Sequence, residues 1–213
     1  MSLSYPVNLN ISGKGCLVVG GGSVAVRKVR GLLECGGRVY VVSPMLHPLL
    51  QKLTEEKQIV WLNRNFQAED INDKFLVIAA TDNAELNHEV AALCTEKNIL
   101  INVVDDPLWC SFTLPAVHRQ GDLLIAVSTN GKSPALARVI KEELAEKFRG
   151  EFAQALELLG SLRETLFAEC PDDKMRSKVL QGLVTGELLR LIEDGQLEVV
   201  KERINRCLLS LQD

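Results

Sequence analysis

The residues with the clearest chemical potential lie in a glycine-rich segment near the start of the chain. Gly20-Gly21-Gly22-Ser23-Val24-Ala25 fits G-x-G-x-x-A and stands between a short apolar run and a helical pattern. In this pattern the first glycine permits a tight turn, the second lets a pyrophosphate approach the backbone, and the alanine allows close helix–strand packing. The amino end of the helix offers free N–H groups and a positive dipole to phosphates. We predict a dinucleotide site here, and the alternative is a glycine turn that binds nothing.

Polar residues that follow later strands extend this predicted site. The second strand ends at Ser43-Pro44, where dinucleotide-binding proteins often have an acidic residue for the ribose hydroxyls. The motif itself therefore does not select between NAD and NADP. We place Ser43, Pro44, Thr81 and Asp82 with the glycine segment in the cofactor site. Arg27 and Lys28 are interpreted as a solvated helix face, with phosphate contact as the alternative.

Asp105 is the candidate catalytic residue. It ends the apolar segment 99–104, and open α/β sheets bind their ligands at the carboxyl ends of strands. A carboxylate there can act as a general base. The alternative is that Asp105 only caps the Asp-Asp-Pro turn, and Asp106 is the weaker catalytic candidate.

Other chemically active residue types give no metal site. The six cysteines are scattered without a C-x-x-C pair, and His47, His88 and His118 are isolated. Structural zinc sites normally show close ligand pairs, so we predict no metal ligands and reduced, buried thiols. Cys110 stays open because it lies near Asp105, and His88 is interpreted as a surface or packing residue. The segment 129–133 ends like a P-loop, but Ala126 replaces the required first glycine.

The pattern of apolar residues predicts the strands and helices that position these residues. Strands are predicted at 15–19, 38–42, 59–62, 75–80 and 99–104, with helices at 24–34, 46–56 and 82–97 between them. Asp82 is expected to cap the last of these helices through a D-x-x-E capping box. The alternation indicates β-α-β units and a Rossmann-type parallel sheet, so the fold class is α/β.

The pattern changes after residue 112. Segments 111–117 and 123–128 indicate an antiparallel pair, and Ser133-Pro134 predicts the start of a helix that ends near residue 148. Leucines at helical spacing then predict a small all-helical domain. We predict three parts: residues 1–112 as the Rossmann domain, 113–150 as a dimerisation segment, and 151–213 as a helical domain.

Composition narrows the class of protein. The 213 residues are 46% hydrophobic and 24% charged, with a net charge of −4. This profile excludes a mainly disordered chain and argues against nucleic acid as the principal partner. No apolar run reaches the length of a membrane span, and no secretory signal is read at the start. We expect a cytoplasmic protein without a membrane or nucleic-acid partner.

Five ordered motifs together resemble the precorrin-2 dehydrogenase family of sirohaem biosynthesis, which includes half of the fused bacterial sirohaem synthase. They are the glycine segment 20–28, Ala79-Ala80-Thr81-Asp82, Asn102-Val103-Val104-Asp105, Ser111-Phe112-Thr113-Leu114-Pro115-Ala116, and the segment 126–134. The resemblance implies NAD-dependent oxidation of precorrin-2 to sirohydrochlorin, on the route to sirohaem or cobalamin. It implies NAD as the cofactor, Asp105 as the catalytic aspartate, and a homodimer. Because the 213 residues do not include the methyltransferase half of the fused members, we expect a separate enzyme to supply precorrin-2.

The segment after the antiparallel pair also has a predicted role, because it lies between a strand and a helix and contains a lysine. Thr129, Asn130, Gly131 and Lys132 are expected to bind substrate carboxylates, with His118 as an assisting residue. A serine stands at the position of Thr129 in fused members and is linked there to modulation of activity, and the sequence leaves open whether Thr129 is regulatory. Three hypotheses remain: the dehydrogenase, a bifunctional dehydrogenase and sirohydrochlorin ferrochelatase, and a non-enzymatic NAD-sensing module.

Overall fold

The computed structural model describes residues 4–209. The chain forms two compact units that divide between Leu114 and Pro115. The first contains every residue of the predicted cofactor site together with Asp105. The second contains the predicted carboxylate-binding segment. The finer three-part division remains a prediction.

The first unit is built on a five-stranded parallel sheet in the order β3-β2-β1-β4-β5. Its strands are β1 (Gly15–Val19), β2 (Arg38–Val42), β3 (Ile59–Leu62), β4 (Leu76–Ala79) and β5 (Leu100–Val103). Every residue of β1 and β4 is buried, as expected for apolar strands covered on both faces. The predicted Rossmann-type sheet is confirmed.

Helices cover both faces of this sheet. They are α1 (Ser23–Glu34), α2 (Pro48–Glu55) and α3 (Ala84–Glu96), with short 3-10 turns at Ala68–Ile71 and Pro107–Trp109. Val18 packs in one core with residues of α1 and α2, whereas its neighbour Val19 packs in the other core with α3. The alternation of side chains along β1 therefore supplies both cores.

Two local predictions in this unit are corrected by the structure. Asn83, not Asp82, caps α3, because its side chain accepts a hydrogen bond from the Leu86 N–H. The second helix begins at Pro48 rather than residue 46, and His47 is its cap through Nδ1. At the start of α3 the adjacent residues Asp82 and Asn83 both offered a capping group, and the sequence pattern did not decide between them.

The second unit joins a hairpin to five helices. Strands β6 (Ala116–Gln120) and β7 (Leu123–Val127) pair antiparallel, which confirms the predicted pair, although the first strand starts five residues later than expected. The helices are α4 (Pro134–Lys147), α5 (Gly150–Glu169), α6 (Asp173–Leu183), α7 (Gly186–Glu193) and α8 (Leu197–Leu209). Ser133 caps α4 and Pro134 opens it, as predicted.

The helices α5 to α8 share a leucine-rich core. Leu162, Leu166 and Leu188 are almost fully buried there, with Ile192 and Val200 beside them. The helical pattern of the tail is therefore confirmed. Between residues 4 and 209 the structure contains no helix that is long and apolar enough to cross a membrane.

Candidate active site

The carboxyl edge of the parallel sheet brings the predicted residues of the first unit together. The glycine segment follows β1, Ser43 follows β2, Thr81 follows β4, and Asp105 follows β5. These four strands are consecutive neighbours in the sheet. Residues that are distant in sequence therefore meet at one edge, where open α/β sheets bind ligands.

The three glycines of the loop have different structural requirements. Gly20 has φ +115°, and a Cβ built there would lie 2.3 Å from the Ala80 carbonyl oxygen. A Cβ at Gly21 would lie 2.1 Å from the Met45 carbonyl oxygen. Gly22 is exposed, and a Cβ there would have no atom within 4 Å. The fold itself requires the first two glycines, whereas Gly22 leaves open space beside the backbone.

The start of α1 fits a phosphate. Gly22 is its N-cap without a side-chain cap, and the first turn contains no acidic residue. Ser23 is exposed and Val24 is half-buried, so the first backbone N–H groups lie close to this open side. Ala25 is fully buried, as expected for close helix–strand packing. A dinucleotide pyrophosphate would be held by these N–H groups and by the helix dipole.

The segment after β2 is fixed to the glycine loop. The His47 N–H donates to the Gly21 carbonyl at 2.8 Å. The Ser43 hydroxyl donates to the Met45 carbonyl at 2.7 Å, and Trp61 Nε1 donates to the Ser43 carbonyl at 2.9 Å. Pro44 is exposed beside them. The fingerprint carboxylate for a ribose is absent at positions 43 and 44, as the sequence indicates.

A buried asparagine organises the end of β4. Thr81 Oγ1 donates to Asn87 Oδ1 at 2.7 Å, and Asn87 Nδ2 donates to the Thr81 carbonyl at 2.9 Å. Asn87 is buried, whereas Asp82 is exposed. Sequence reasoning missed Asn87, and the only available signal was a polar residue on the apolar face of α3.

Asp105 combines exposure with an unusual backbone. Its φ is +60°, in the left-handed region that residues with a side chain rarely adopt. Such conformations persist where the surrounding structure enforces them, and they are frequent at functional sites. The Asp105 side chain is exposed at the sheet edge, so it is accessible to a ligand.

Lys28 belongs to the electrostatic surroundings of Asp105. Burial lowers the pKa of the Lys28 ammonium and Arg27 lowers it further, whereas Asp105 and Cys110 act in the opposite direction. Lys28 is half-buried rather than fully solvated, and Arg27 is exposed as expected. The site therefore contains a cation near its candidate carboxylate that sequence reasoning assigned to a solvated face.

Cys110 contributes to the turn after β5 through its sulfur. Its Sγ accepts hydrogen bonds from the Val103 N–H at 3.1 Å and from Asn102 Nδ2 at 3.5 Å. It also lies 3.3 Å from the carbonyl oxygens of Val103 and Asp106. Burial raises the pKa of the Cys110 thiol, which opposes formation of a reactive thiolate. The structure thus gives Cys110 a structural role.

Asp106 and His88 form a pair that the sequence did not reveal. His88 Nε2 lies 2.8 Å from Asp106 Oδ2. The imidazole also stacks on Trp109, with ring centroids 4.5 Å apart and an interplanar angle of 15°. His88 is on α3 and its two partners follow β5, so only the fold brings them together.

The predicted carboxylate-binding segment lies in the second unit, between β7 and α4. Asn130 and Gly131 both have positive φ, and the Ser133 N–H donates to Thr129 Oγ1 at 3.0 Å. Lys132 is exposed. The segment is therefore a tight turn whose lysine is exposed to solvent.

The structure does not bring His118 to this segment. His118 Nε2 donates to the carbonyl oxygen of Phe148 at 2.6 Å, and Phe148 is the C-cap of α4. The segment with Lys132 lies at the opposite end of the same helix. Fourteen helical residues separate the two ends by roughly 20 Å. His118 thus has a structural partner away from its predicted companions.

Within residues 4–209 no three His, Cys, Asp or Glu side chains are grouped in a way that could hold a metal ion.

The glycine loop, the parallel sheet and the open start of α1 define a dinucleotide-binding protein. Residues 7–116 match the family described as "Putative NAD(P)-binding", and this chain belongs to that family. Residues 120–147 match a second family, described as "Sirohaem biosynthesis protein central". The resemblance predicted from the five motifs is confirmed.

Individual relatives agree with this assignment. The chain is 37% identical over 204 residues to a siroheme synthase of Thioalkalivibrio sulfidiphilus, with 96% of this chain and 42% of the relative covered. It is 33% identical over 196 residues to a siroheme synthase of Vesicomyosocius okutanii, with 92% and 42% covered. The chain thus spans about two fifths of the length of these relatives.

A solved structure confirms the fold. The structure of "SirC, precorrin-2 dehydrogenase" matches with a TM-score of 0.72 and 23% identity, covering 93% of this chain and all of that one.

Proposed function

We propose that this protein oxidises precorrin-2 to sirohydrochlorin with NAD as the hydride acceptor. The observation on which this depends is the position of Asp105, an exposed carboxylate at the same sheet edge as the glycine loop. The siroheme synthases among the relatives and the sirohaem-biosynthesis match support a tetrapyrrole as substrate. The solved structure that matches this chain is that of a protein described as a precorrin-2 dehydrogenase.

The reaction removes one hydride and one proton from the tetrapyrrole. The nicotinamide ring, when bound, accepts the hydride. The protein must hold the substrate carbon against that ring and provide for the proton. Asp105 is the group we assign to this task, either as the base that accepts the proton or as the acceptor that orients a pyrrole N–H. Lys28 adds a cation to the electrostatic surroundings of Asp105.

Binding of the cofactor is assigned to Gly20, Gly21, Gly22, Ser23, Val24, Ser43, Pro44, Thr81 and Asp82. Within this set Gly20 and Gly21 shape the loop, and Gly22 with the first N–H groups of α1 receives the pyrophosphate. The polar groups after β2 and β4 are assigned to the rest of the dinucleotide.

Binding of the substrate carboxylates is assigned to Thr129, Asn130, Gly131 and Lys132. Lys132 is exposed and supplies a positive charge for these carboxylates. His118 is the weaker part of this assignment, because its Nε2 already donates to Phe148.

The direct test is to incubate the purified protein with precorrin-2 and NAD and to follow the absorbance of reduced nicotinamide and of sirohydrochlorin. We expect both to appear together, one for one. Binding of NAD without oxidation would contradict the proposal and favour the NAD-sensing module. Addition of ferrous iron to sirohydrochlorin in a parallel sample tests the bifunctional alternative.

We also propose a homodimer with an interface on the hairpin and α4. Val117, Leu136 and Val139 are exposed apolar side chains there, and the helices α5 to α8 leave them uncovered. Apolar area of this kind favours association, and a closed two-fold pair is the commonest arrangement. Sedimentation of the full chain at micromolar concentration should show a dimer, and Leu136→Glu should shift it to the monomer.

A cytoplasmic location is part of the same proposal. Cys16, Cys35 and Cys94 form no disulfide in the structure, and thiols persist in reducing compartments. Fractionation of cells that express the full-length protein should place it in the cytoplasmic fraction, whereas recovery in a secreted fraction would contradict this assignment.

A further inference from the structure

The turn that places Asp105 is weakly fixed by its own backbone. Asp105 occupies the left-handed region, which costs a residue with a side chain conformational energy. The hydrogen bonds of the turn are long: 3.4 Å from Asp106 N–H to the Val103 carbonyl, and 3.3 Å from Trp109 N–H to the Asp106 carbonyl. Side-chain contacts therefore contribute to holding it.

His88 supplies two such contacts from the neighbouring helix. One edge of its ring hydrogen-bonds the Asp106 carboxylate at 2.8 Å, and one face stacks on Trp109. Asp106 directly follows Asp105, and Trp109 lies at the far end of the turn. A single side chain on α3 thus contacts the turn at two points, Asp106 and Trp109. Because a carboxylate oxygen accepts, Nε2 must bear the proton in this contact.

We infer that His88 is a positioning residue, which fixes the turn 104–110 and thereby the Asp105 carboxylate at the sheet edge. The inference about the turn stands on the contacts above, and its effect on turnover depends on the proposed function. Asp106, which sequence reasoning treated as a second catalytic candidate, acts here as the anchor for His88. The His88 ring can reach this turn because α3 begins at the same sheet edge at which β5 ends.

The competing explanation is that the Cys110 sulfur alone holds the turn. This sulfur contacts the backbone of Val103 at the end of β5 and the carbonyl oxygen of Asp106 within the turn. In that case His88 would be a surface residue that packs on Trp109 without consequence for Asp105. The two explanations differ in what loss of the imidazole does to the turn.

The experiment compares three variants of the full-length protein. His88→Ala removes the hydrogen bond and the stack, and His88→Phe removes the hydrogen bond but keeps an aromatic ring over Trp109. Glu89→Gln is the matched control, because Glu89 is the exposed neighbour of His88 on the same helix. Hydrogen exchange of the backbone amides of residues 104–110 is measured by mass spectrometry without any ligand, and kcat and the KM for NAD are then measured.

We expect His88→Ala to raise exchange in this segment by about 10-fold, because a charge-assisted hydrogen bond and an aromatic stack are lost together. His88→Phe should show a smaller rise, and Glu89→Gln should show none. Turnover of His88→Ala should fall by about 10-fold, since a small displacement of a reacting group is costly. The KM for NAD should stay unchanged, because the glycine loop is built by other strands.

Unchanged exchange in both His88 variants would overturn the inference. The inference would also be overturned if His88→Ala showed faster exchange but an unchanged kcat while Asp105→Ala lost activity. If the native protein does not oxidise precorrin-2, the proposed function fails, and the exchange data alone decide whether His88 fixes the turn. If His88→Ala does not fold, Asp106→Asn and His88→Phe provide the same comparison.

Discussion

Two adjacent glycines should respond oppositely to the same small change. In Gly21→Ala the new methyl group would lie 2.1 Å from the Met45 carbonyl oxygen, so backbone must move. In Gly22→Ala the methyl group would have no protein atom within 4 Å. The first substitution therefore tests what the fold requires, and the second tests what a ligand requires.

The magnitudes follow from these surroundings. Overpacking of the kind expected for Gly21→Ala typically costs about 1–3 kcal/mol of unfolding free energy. At Gly22 the backbone has φ −84°, which alanine adopts without strain. There the loss of a favourable N-cap residue and the lower entropy of the unfolded chain nearly cancel, and the net change should be within about 0.5 kcal/mol. A methyl group at the place of the pyrophosphate should lower the affinity for NAD by at least about 10-fold, which corresponds to about 1.4 kcal/mol.

Thermal unfolding and NAD titration by calorimetry separate the two effects. Gly21→Ala should unfold at a clearly lower temperature, whereas Gly22→Ala should unfold like the native protein and bind NAD poorly. Gly22→Asp should lower the affinity for NAD further, because it adds a negative charge beside the phosphates. Native NAD affinity in Gly22→Ala would refute the placement of the pyrophosphate on this loop.

Three further perturbations test other parts of the structure. Asp105→Ala should retain NAD binding and lose about 100- to 10,000-fold in kcat, and near-native turnover would leave Asp105 as a turn cap only. Burial acts to raise the pKa of Asp70, but the hydrogen bonds from Arg64 and the Gln67 N–H outweigh it and hold that pKa below its usual range. The ionised Asp70 therefore stabilises the fold fully above about pH 4, and this stabilisation is lost as the pH falls through the lower pKa of the folded state. Asp70→Asn should lower the free energy of unfolding by about 1–3 kcal/mol at pH 7 and flatten the acid side of the plot of stability against pH. Burial raises the pKa of Cys94 to about 11. At pH 8 iodoacetamide should therefore modify exposed thiols of the folded protein and leave Cys94 unmodified. Equal labelling of Cys94 and the exposed thiols, measured by intact-mass and peptide analysis, would contradict the buried position of Cys94.

The sequence predicted best those features that depend on local pattern. The glycine loop has a fixed order of residue types after a buried strand, and Gly20 and Ala25 have the predicted roles. Ser133 with Pro134 gave the start of α4 correctly, because a capping hydroxyl and a proline act within one helical turn. Asp105 was placed at the end of β5 from the apolar run before it.

Features that depend on contacts between elements were not predicted. Lys28 and His88 each occupy a helix position that a solvated residue could occupy equally well, and their partners follow a strand far along the chain. Nothing in the spacing of His88 and Asp106 indicates a distance of 2.8 Å. Asp82 and Asn83 both carry a possible capping oxygen, and the structure shows that Asn83 Oδ1 accepts the hydrogen bond from the Leu86 N–H.

The central position of β1 in the sheet has a consequence for how the first unit folds. Cys16 pairs with Val39 on one side and with Leu76 on the other, so β1 is complete only when both distant partners are in place. During synthesis the apolar β1 is made long before β4, so one edge of β1 stays unpaired until β4 has been made. Pairing over such sequence separations is slow, because the loop between the strands must close first. Shielding of β1 by a chaperone should therefore matter more for the yield of this unit than for the local helices that follow it.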